Sequence, residues 1–385
     1  MTELALTKSI LSDLIAFPTV SADSNLEMIG YLERDLASLG ARTEVFHDPS
    51  GTKANIFATL GPDGDGGIVL SGHTDVVPVE GQEWTTNPFQ LHEAGDKLFG
   101  RGTCDMKGFI AACLATARHY QMAPLKRPVH FAFTYDEEVG CIGGRALVAE
   151  FVAKGLHPAA AIIGEPTEMR VIEGHKGCKE ITTHFTGLEG HSSQPDLGVN
   201  AIEYAVLYIG ELMRIRDQLK TRAPAGSRFD PPWTTLQIGE IGGGVAHNVI
   251  PGHAKVAWDL RCVQAEDESF VDAAIETHVA SKLLPAMRAV YPDARIDAEV
   301  IGNVAGLMPT EKNEARRIVT ELTGANGTDV VAFGTEAGLF QSVGIDAVVC
   351  GPGSIAQAHK PDEFIALDQL DACLGMLRNL MRYVT

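Results

Sequence analysis

Several short tracts place imidazoles and carboxylates where they could do chemistry. His73 and Asp75 stand two residues apart in Ser-Gly-His-Thr-Asp (71–75). In extended backbone, residues i and i+2 face the same way, so Asp75 can accept the ring N–H of His73. That arrangement fixes the tautomer whose other ring nitrogen binds a metal. Asp105 sits in the glycine-flanked loop Gly-Arg-Gly-Thr-Cys-Asp-Met-Lys-Gly (100–108). Asp136, Glu137 and Glu138 are successive carboxylates at the end of an apolar run, unfavourable without a cation or proton to offset them. Glu165 follows another apolar run in Ile-Gly-Glu-Pro-Thr, and His359 lies in Gln-Ala-His-Lys-Pro-Asp-Glu (357–363). Taken singly, each tract has an ordinary structural explanation: a chance His-x-Asp pair, a helix N-cap, a solvated acidic turn. Taken together they supply imidazoles and carboxylates with no thiolate, a donor set that suits zinc, with cobalt or manganese as substitutes. One carboxylate shared between two ions would hold them about 3.5–4 Å apart, the geometry of two-metal hydrolases. No HExxH, GxSxG or Walker tract competes with this reading.

The elements around these tracts predict how they are positioned. Helices are expected at the N-terminus, over 25–39 (closed by Gly40), 108–121 and 143–154. Strands are expected over 43–46, 55–60, 68–73, 129–135 and 159–164. Short apolar runs alternating with helices indicate an α/β layer with a largely parallel sheet. In such sheets the crevice beyond the carboxyl ends of the strands is where ligands bind, and most of the tracts fall there. The texture changes near residue 178. A half-buried, alternating strand (179–185), a helix (199–219), a Pro-rich loop, two alternating strands (234–240 and 254–262) and a helix (267–283) form a β-α-β-β-α order. Beyond about 295 the first texture returns, with helices 311–323 and 367–383 and the run 347–350. The expected organisation is a catalytic α/β domain over 1–178 and 296–385, interrupted by an α+β domain over 179–295.

Composition narrows the function. The chain has 385 residues, 45% hydrophobic and 21% charged, as a folded protein requires. Its 50 acidic against 31 basic residues, net −19, disfavour nucleic acid and anionic membrane as partners. Seven scattered cysteines without a CxxC pair argue against a disulfide scaffold and point to a reducing compartment, the cytoplasm. The N-terminal segment reads as an amphipathic helix and not a signal peptide, and no apolar stretch is long enough to span a membrane.

In their order, His-Thr-Asp (73–75), Gly-Thr-Cys-Asp-Met-Lys-Gly (102–108), Asp-Glu-Glu (136–138), Gly-Glu-Pro-Thr (164–167), Gly-His-Ser-Ser (190–193) and Ala-His-Lys-Pro-Asp-Glu (358–363) resemble one family. It is the family of co-catalytic zinc deacylases and exopeptidases, which includes acetylornithine deacetylases, succinyl-diaminopimelate desuccinylases and aminoacylases. The resemblance implies a zinc-exopeptidase-like α/β/α catalytic domain carrying an inserted ferredoxin-like dimerisation domain, and hence a homodimer. It implies two Zn2+ per subunit. Asp105 would bridge the ions, His73 and Glu165 would complete one site, and Glu138 and His359 the other. Asp75 would orient His73, and Glu137 would be the general base. Glu137 and Glu138 could not both point at one ion in regular extended backbone, so a kink is expected there. A cis peptide is implied at Asp105–Met106. His191 would reach the partner subunit's active site and stabilise an oxyanion. Asn248 and Arg261 would bind substrate, the arginine suiting an α-carboxylate. Glu336 would meet the end of the substrate, or serve only a backbone turn. Within the family, the tracts 164–177, 334–337 and 351–363 resemble the acetylornithine deacetylase branch. The implied substrate is therefore an N-acyl amino acid, N-acetylornithine first. Succinyl-diaminopimelate, other N-acyl amino acids and dipeptides are alternatives on the same scaffold, and a non-catalytic metal or amino-acid binding module is the alternative of another class.

Overall fold

The computed structural model describes residues 2–385. The chain divides into two compact units. The larger runs through Gly174 and resumes over Leu307–Val330 and Thr335–Thr385; the smaller comprises His175–Gly306 and Val331–Gly334.

The larger unit is built on an eight-stranded sheet. Its order is Arg42–His47, Ala54–Leu60, Val129–Thr134, Ile68–His73, Ala160–Pro166, Asp346–Gly351, Ile172–His175 and Asp329–Val331. Ile68–His73 runs parallel to both Val129–Thr134 and Ala160–Pro166, and Asp346–Gly351 runs parallel to Ala160–Pro166. Antiparallel strands flank this parallel centre: Ala54–Leu60 on Val129–Thr134, and Ile172–His175 on Asp346–Gly351. Every residue of the three central strands through 68–73, 129–134 and 160–166 is buried, which is why each reads as a continuous apolar run. Helix Lys107–Met122 packs on this sheet with Phe109, Ile110, Leu114 and Tyr120 in the core, joined there by Leu11 and Leu14 of Glu3–Ile15 and Leu374 and Leu377 of Leu367–Asn379. Because the central strands are parallel, their carboxyl ends, at His73, Thr134 and Pro166, lie on one edge. A small antiparallel sheet pairs Phe364–Ala366 with Lys97–Phe99, bringing the segments before Phe364 and after Phe99 together.

The smaller unit is an antiparallel sheet in the order Thr235–Gly243, His253–Cys262, Gly177–Thr186, Arg295–Val304. Counted along the chain, this is the 4-1-3-2 order of a β-α-β-β-α-β ferredoxin-like unit. Ile181, Phe185, Val256 and Leu260 point from the sheet to helix Ala201–Lys220, which buries Ala205, Tyr208, Leu212, Ile215 and Leu219 at helical spacing. Asn200 caps that helix, accepting from Ile202 N at 3.0 Å. The unit extends beyond the expected boundary at 295. Arg295–Val304 is its fourth strand, paired along its length with Gly177–Thr186. Its pattern hid it, since it lies at a sheet edge and only Gly302 and Val304 are buried.

Candidate metal centre and active site

In the larger unit, the strand ends deliver the expected imidazoles and carboxylates to one place. His73 ends its strand fully buried, and its Nε2 lies 3.0 Å from Asp105 Oδ1 and 3.6 Å from Glu165 Oε1. On the other side of the same aspartate, His359 Nε2 lies 3.3 Å from Asp105 Oδ2 and 3.1 Å from Glu138 Oε2. Asp105 thus stands between two imidazoles, one accompanied by Glu165 and the other by Glu138. Glu137 is part of the cluster, with ligand atoms of His73, Glu137 and Glu165 within 4.8 Å of one another. Its Oε1 also accepts from Cys141 Sγ at 3.3 Å.

The backbone that holds these groups is irregular where the chemistry needs it. The peptide Asp105–Met106 is cis. The segment after Val129–Thr134 turns at Asp136, which takes φ 53°, and Glu137 O accepts from Gly140 N and Cys141 N. The kink expected between Glu137 and Glu138 is therefore a turn that begins one residue earlier. Lys53 Nζ fixes it by pairing with Asp136 Oδ1 at 2.6 Å while also donating to the Ser21 carbonyl.

Asp75 plays a different part from the one its spacing suggests. The ring N–H at His73 Nδ1 donates to the main-chain carbonyl of Asp75 at 2.9 Å, while Asp75 Oδ1 is 3.6 Å away. The carboxylate instead accepts from Glu137 N at 3.0 Å, Glu138 N at 3.3 Å and Ser21 Oγ at 2.7 Å. It clamps the turn that carries the two glutamates. Glu336, expected at the end of the substrate or in a backbone turn, is buried. Its two oxygens accept from Ser71 Oγ at 2.5 Å and Thr134 Oγ1 at 2.9 Å, so it braces adjacent strands.

The remaining residues expected to act lie in the smaller unit. His191 is exposed in the short pairing of Gly190–His191 with Val249–Ile250, and its Nδ1 accepts from Ser193 N at 3.2 Å. Asn248 is exposed in the preceding loop, where its carbonyl accepts from Ser192 N. Arg261 is half-buried on a strand and donates from Nε to Asp259 Oδ2 at 2.7 Å. The tracts quoted for the site also contained two residues whose importance their spacing did not reveal: Arg101 and Glu363, a buried ion pair at 2.7 Å. No sequence pattern signals Lys53 and Ser21, which lie in separate segments outside every motif.

The electrostatics of the cluster are those of a cation site. Burial, reinforced by the charge of Asp105, pushes Glu165 well above the usual carboxylate range and raises Glu138. Burial pushes Glu137 up to about 8. Burial opposes protonation of His73, but the hydrogen bond to Asp105 and the charge of Glu165 outweigh it and hold the imidazole well above its usual value. Hydrogen bonds to Asp105 and Glu138 bring His359 up to about 10. Among the described residues, Glu138 Oε1 and Glu165 Oε1 are buried atoms without a hydrogen-bond partner. Buried carboxylate oxygens left in this way cost free energy unless a cation faces them. Imidazole and carboxylate donors, two unpartnered oxygens and a shared aspartate fit a pair of divalent metal ions.

Comparison with known proteins places the chain. Residues 69–383 match peptidase family M20/M25/M40. The chain is 37% identical over 359 residues to the acetylornithine deacetylase of Salmonella heidelberg (strain SL476), covering 91% of each chain. It is 34% identical to that of Pasteurella multocida (strain Pm70), covering 96% of each. Among solved structures, an M20 family metallo-carboxypeptidase from Sulfolobus solfataricus shares the fold with a TM-score of 0.76 at 18% identity, over 98% of both chains. A dinuclear metal binding M20 peptidase from Bacillus subtilis does so with a TM-score of 0.64 at 19% identity, over 100% of this chain and 99% of that one. The shared aspartate, its two flanking imidazoles and the match across most of the chain lead to one assignment: this hydrolase belongs to peptidase family M20/M25/M40.

Proposed function

We propose that the chain is a metal-dependent amidohydrolase that removes the acyl group from an N-acyl amino acid, N-acetylornithine before others, releasing acetate and ornithine. The observation that carries this reading is Asp105 between His73 and His359, each with its own second carboxylate, beside a further glutamate, Glu137. The identity to acetylornithine deacetylases over most of the chain supports the substrate. In this reading Asp105 would be shared by two ions, His73 and Glu165 would hold one, and His359 and Glu138 would hold the other. Zn2+ is the expected metal, with Co2+ or Mn2+ able to replace it.

When bound, the ions supply Lewis acidity toward the substrate carbonyl and toward water. The residues do the rest. Glu137 takes a proton from the attacking water on its carboxylate and later gives it to the leaving amine. Burial raises the proton affinity of the Glu137 carboxyl, which favours its taking up that proton. Asp75 holds the turn that carries Glu137 and Glu138 through their backbone N–H groups. His191 supplies the oxyanion donor from a second subunit of a homodimer. Its Nδ1 lies 2.8 Å from Ser193 Oγ and accepts from Ser193 N–H at 3.2 Å, which leaves Nε2 to face an oxyanion. Asn248 and Arg261 bind the substrate, Arg261 at its α-carboxylate. No helix is long and apolar enough to cross a membrane, and the seven cysteines are free, which supports a place in the cytoplasm.

The test is a substrate panel. Zn2+-loaded protein is assayed on N-acetylornithine, N-succinyl-diaminopimelate, other N-acyl amino acids and dipeptides, with metal content measured in parallel. The expected result is two metal equivalents and the highest kcat/KM with N-acetylornithine. A higher kcat/KM with dipeptides would make the protein a peptidase instead, and uptake of metal without any turnover would make it a binding module.

A further inference from the structure

Glu363 lies four residues beyond His359 and is 1% exposed. Its carboxylate accepts four hydrogen bonds. Oε2 takes Arg101 Nη1 at 2.7 Å and Gly102 N at 3.0 Å, and Oε1 takes Cys104 N at 2.8 Å and Asp105 N at 3.0 Å. The loop that presents Asp105 is therefore wrapped around this one carboxylate. Arg101, also 1% exposed, extends its other arm to Gln82 Oε1 at 2.8 Å, and Gln82 Nε2 donates to the main-chain carbonyl of His359 at 3.0 Å. The neighbouring strand pair sets the frame: Phe364 faces Phe99, and Gly100 N donates to Glu363 O.

We propose that Glu363 and Arg101 are a positioning pair that fixes Asp105 and His359 relative to each other, and so builds the half of the centre formed by Asp105, Glu138 and His359. The proposal rests on the metal-hydrolase reading above. Neither charged group bonds a side-chain ligand atom of the cluster. Each acts through the backbone, at the Asp105 amide directly and at the His359 carbonyl by way of Gln82. A role in stability alone explains the pair poorly. Desolvating an ion pair offsets most of its attraction, so an apolar pair of similar volume would serve at least as well. Arg101 Nε is moreover a buried donor with no partner among the described residues, a further cost. The return for these costs is geometric, since a carboxylate saturated by four donors leaves the loop one conformation. Second-layer contacts of this kind typically govern metal affinity by about 10–100-fold.

Glu363→Gln conserves volume but turns an amide NH2 toward either Arg101 and Gly102 or Cys104 and Asp105, donor against donor. Gln82→Ala, at a half-buried position, removes the link from Arg101 to the His359 carbonyl and leaves the contacts of Glu363 in place. The test is calorimetric titration of the full-length, metal-free chain with Zn2+, together with the absorption spectrum of the Co2+-loaded form. Wild type is expected to take up two equivalents. In Glu363→Gln the Kd of at least one equivalent should rise about 10–100-fold and the Co2+ spectrum should change. Gln82→Ala should weaken the same equivalent by less. Ile318→Val, which trims the core of the same unit, lowers the melting temperature and should leave both equivalents unchanged. Wild-type affinities in Glu363→Gln, or equal weakening in Ile318→Val, would overturn the proposal. If Glu363→Gln does not fold, unchanged affinities in Gln82→Ala overturn it in the same way. A wild-type chain that binds no metal overturns the hydrolase reading, and the positioning role with it.

Discussion

At the scale of single residues, Asp75 and Glu137 have separable duties, and two substitutions tell them apart. Glu137 is the glutamate whose Oε1 accepts from a thiol, Cys141 Sγ, while Glu138 and Glu165 each lie beside an imidazole. Glu137→Gln should retain both metal equivalents and lose turnover by about 10²–10⁴-fold, the usual contribution of a general base. Metal analysis beside steady-state kinetics checks this, and wild-type turnover would remove Glu137 from the role. Asp75→Asn keeps its shape but presents an NH2 to one of the donors that its carboxylate now accepts. The turn should loosen, with kcat falling about 10–100-fold at full metal occupancy. An unchanged kcat would mean that the turn holds without Asp75. Sequence spacing identified both residues but misread the contact of Asp75. Spacing shows which side chains share a face. Here the main-chain carbonyl of Asp75 reaches the His73 ring first, a competition invisible in residue order.

At the scale of elements, the central strands were legible because burial on both faces writes a continuous apolar run, and the ligands follow each run directly. Edge strand Arg295–Val304 was not, since its exposed residues need no pattern. The closeness of strand to helix under the site depends on one glycine. A Cβ at Gly164 would lie 2.0 Å from the Phe109 ring, so Gly164→Ala must push the strand ending at Glu165 away from helix Lys107–Met122. A loss of about 1–3 kcal/mol in unfolding free energy is expected, with weakened metal binding. Unchanged stability in a urea titration would mean that Phe109 yields at no cost. On strand Val129–Thr134, His130 stacks on Phe57 and shares a 2.8 Å hydrogen bond with Thr59 Oγ1. Burial, with the Arg42 charge, pushes its imidazole down to about 4. The unfolded chain takes up that proton near 6.5 and the folded chain only near 4. Its stabilising effect is therefore complete above pH 6.5 and is lost as pH falls through 4. His130→Gln should be less stable than wild type at pH 7, and the gap should close by up to about 3 kcal/mol by pH 4. Urea unfolding of both proteins across that range measures it, and a gap independent of pH would contradict the assignment.

At the scale of the whole molecule, the sequence showed that one unit interrupts the other, because alternating half-buried strands replace continuous apolar ones near residue 178. It did not show where the interruption ends, since Arg295–Val304 carries no such alternation and the smaller unit continues to Gly306. The division has a thermodynamic consequence. All the carboxylates and imidazoles of the cluster belong to the larger unit, and ligation acts only on what it touches. Removing the metal leaves Glu137, Glu138 and Glu165 as crowded carboxyls whose raised proton affinity reports their desolvation first and the charge of their neighbours second. Strain of that kind is relieved by opening the loops that carry them, while the central strands keep their ladders and core. Hydrogen exchange of chelator-treated against Zn2+-loaded protein should therefore rise in 73–76, 101–107, 136–141, 165–168 and 358–363. Strands Gly177–Thr186 and His253–Cys262, paired through their whole length and backed by their own core, should show no change. A uniform rise across both units would mean that metal binding stabilises the chain as one cooperative body, and that the cluster is not the local clasp its geometry describes.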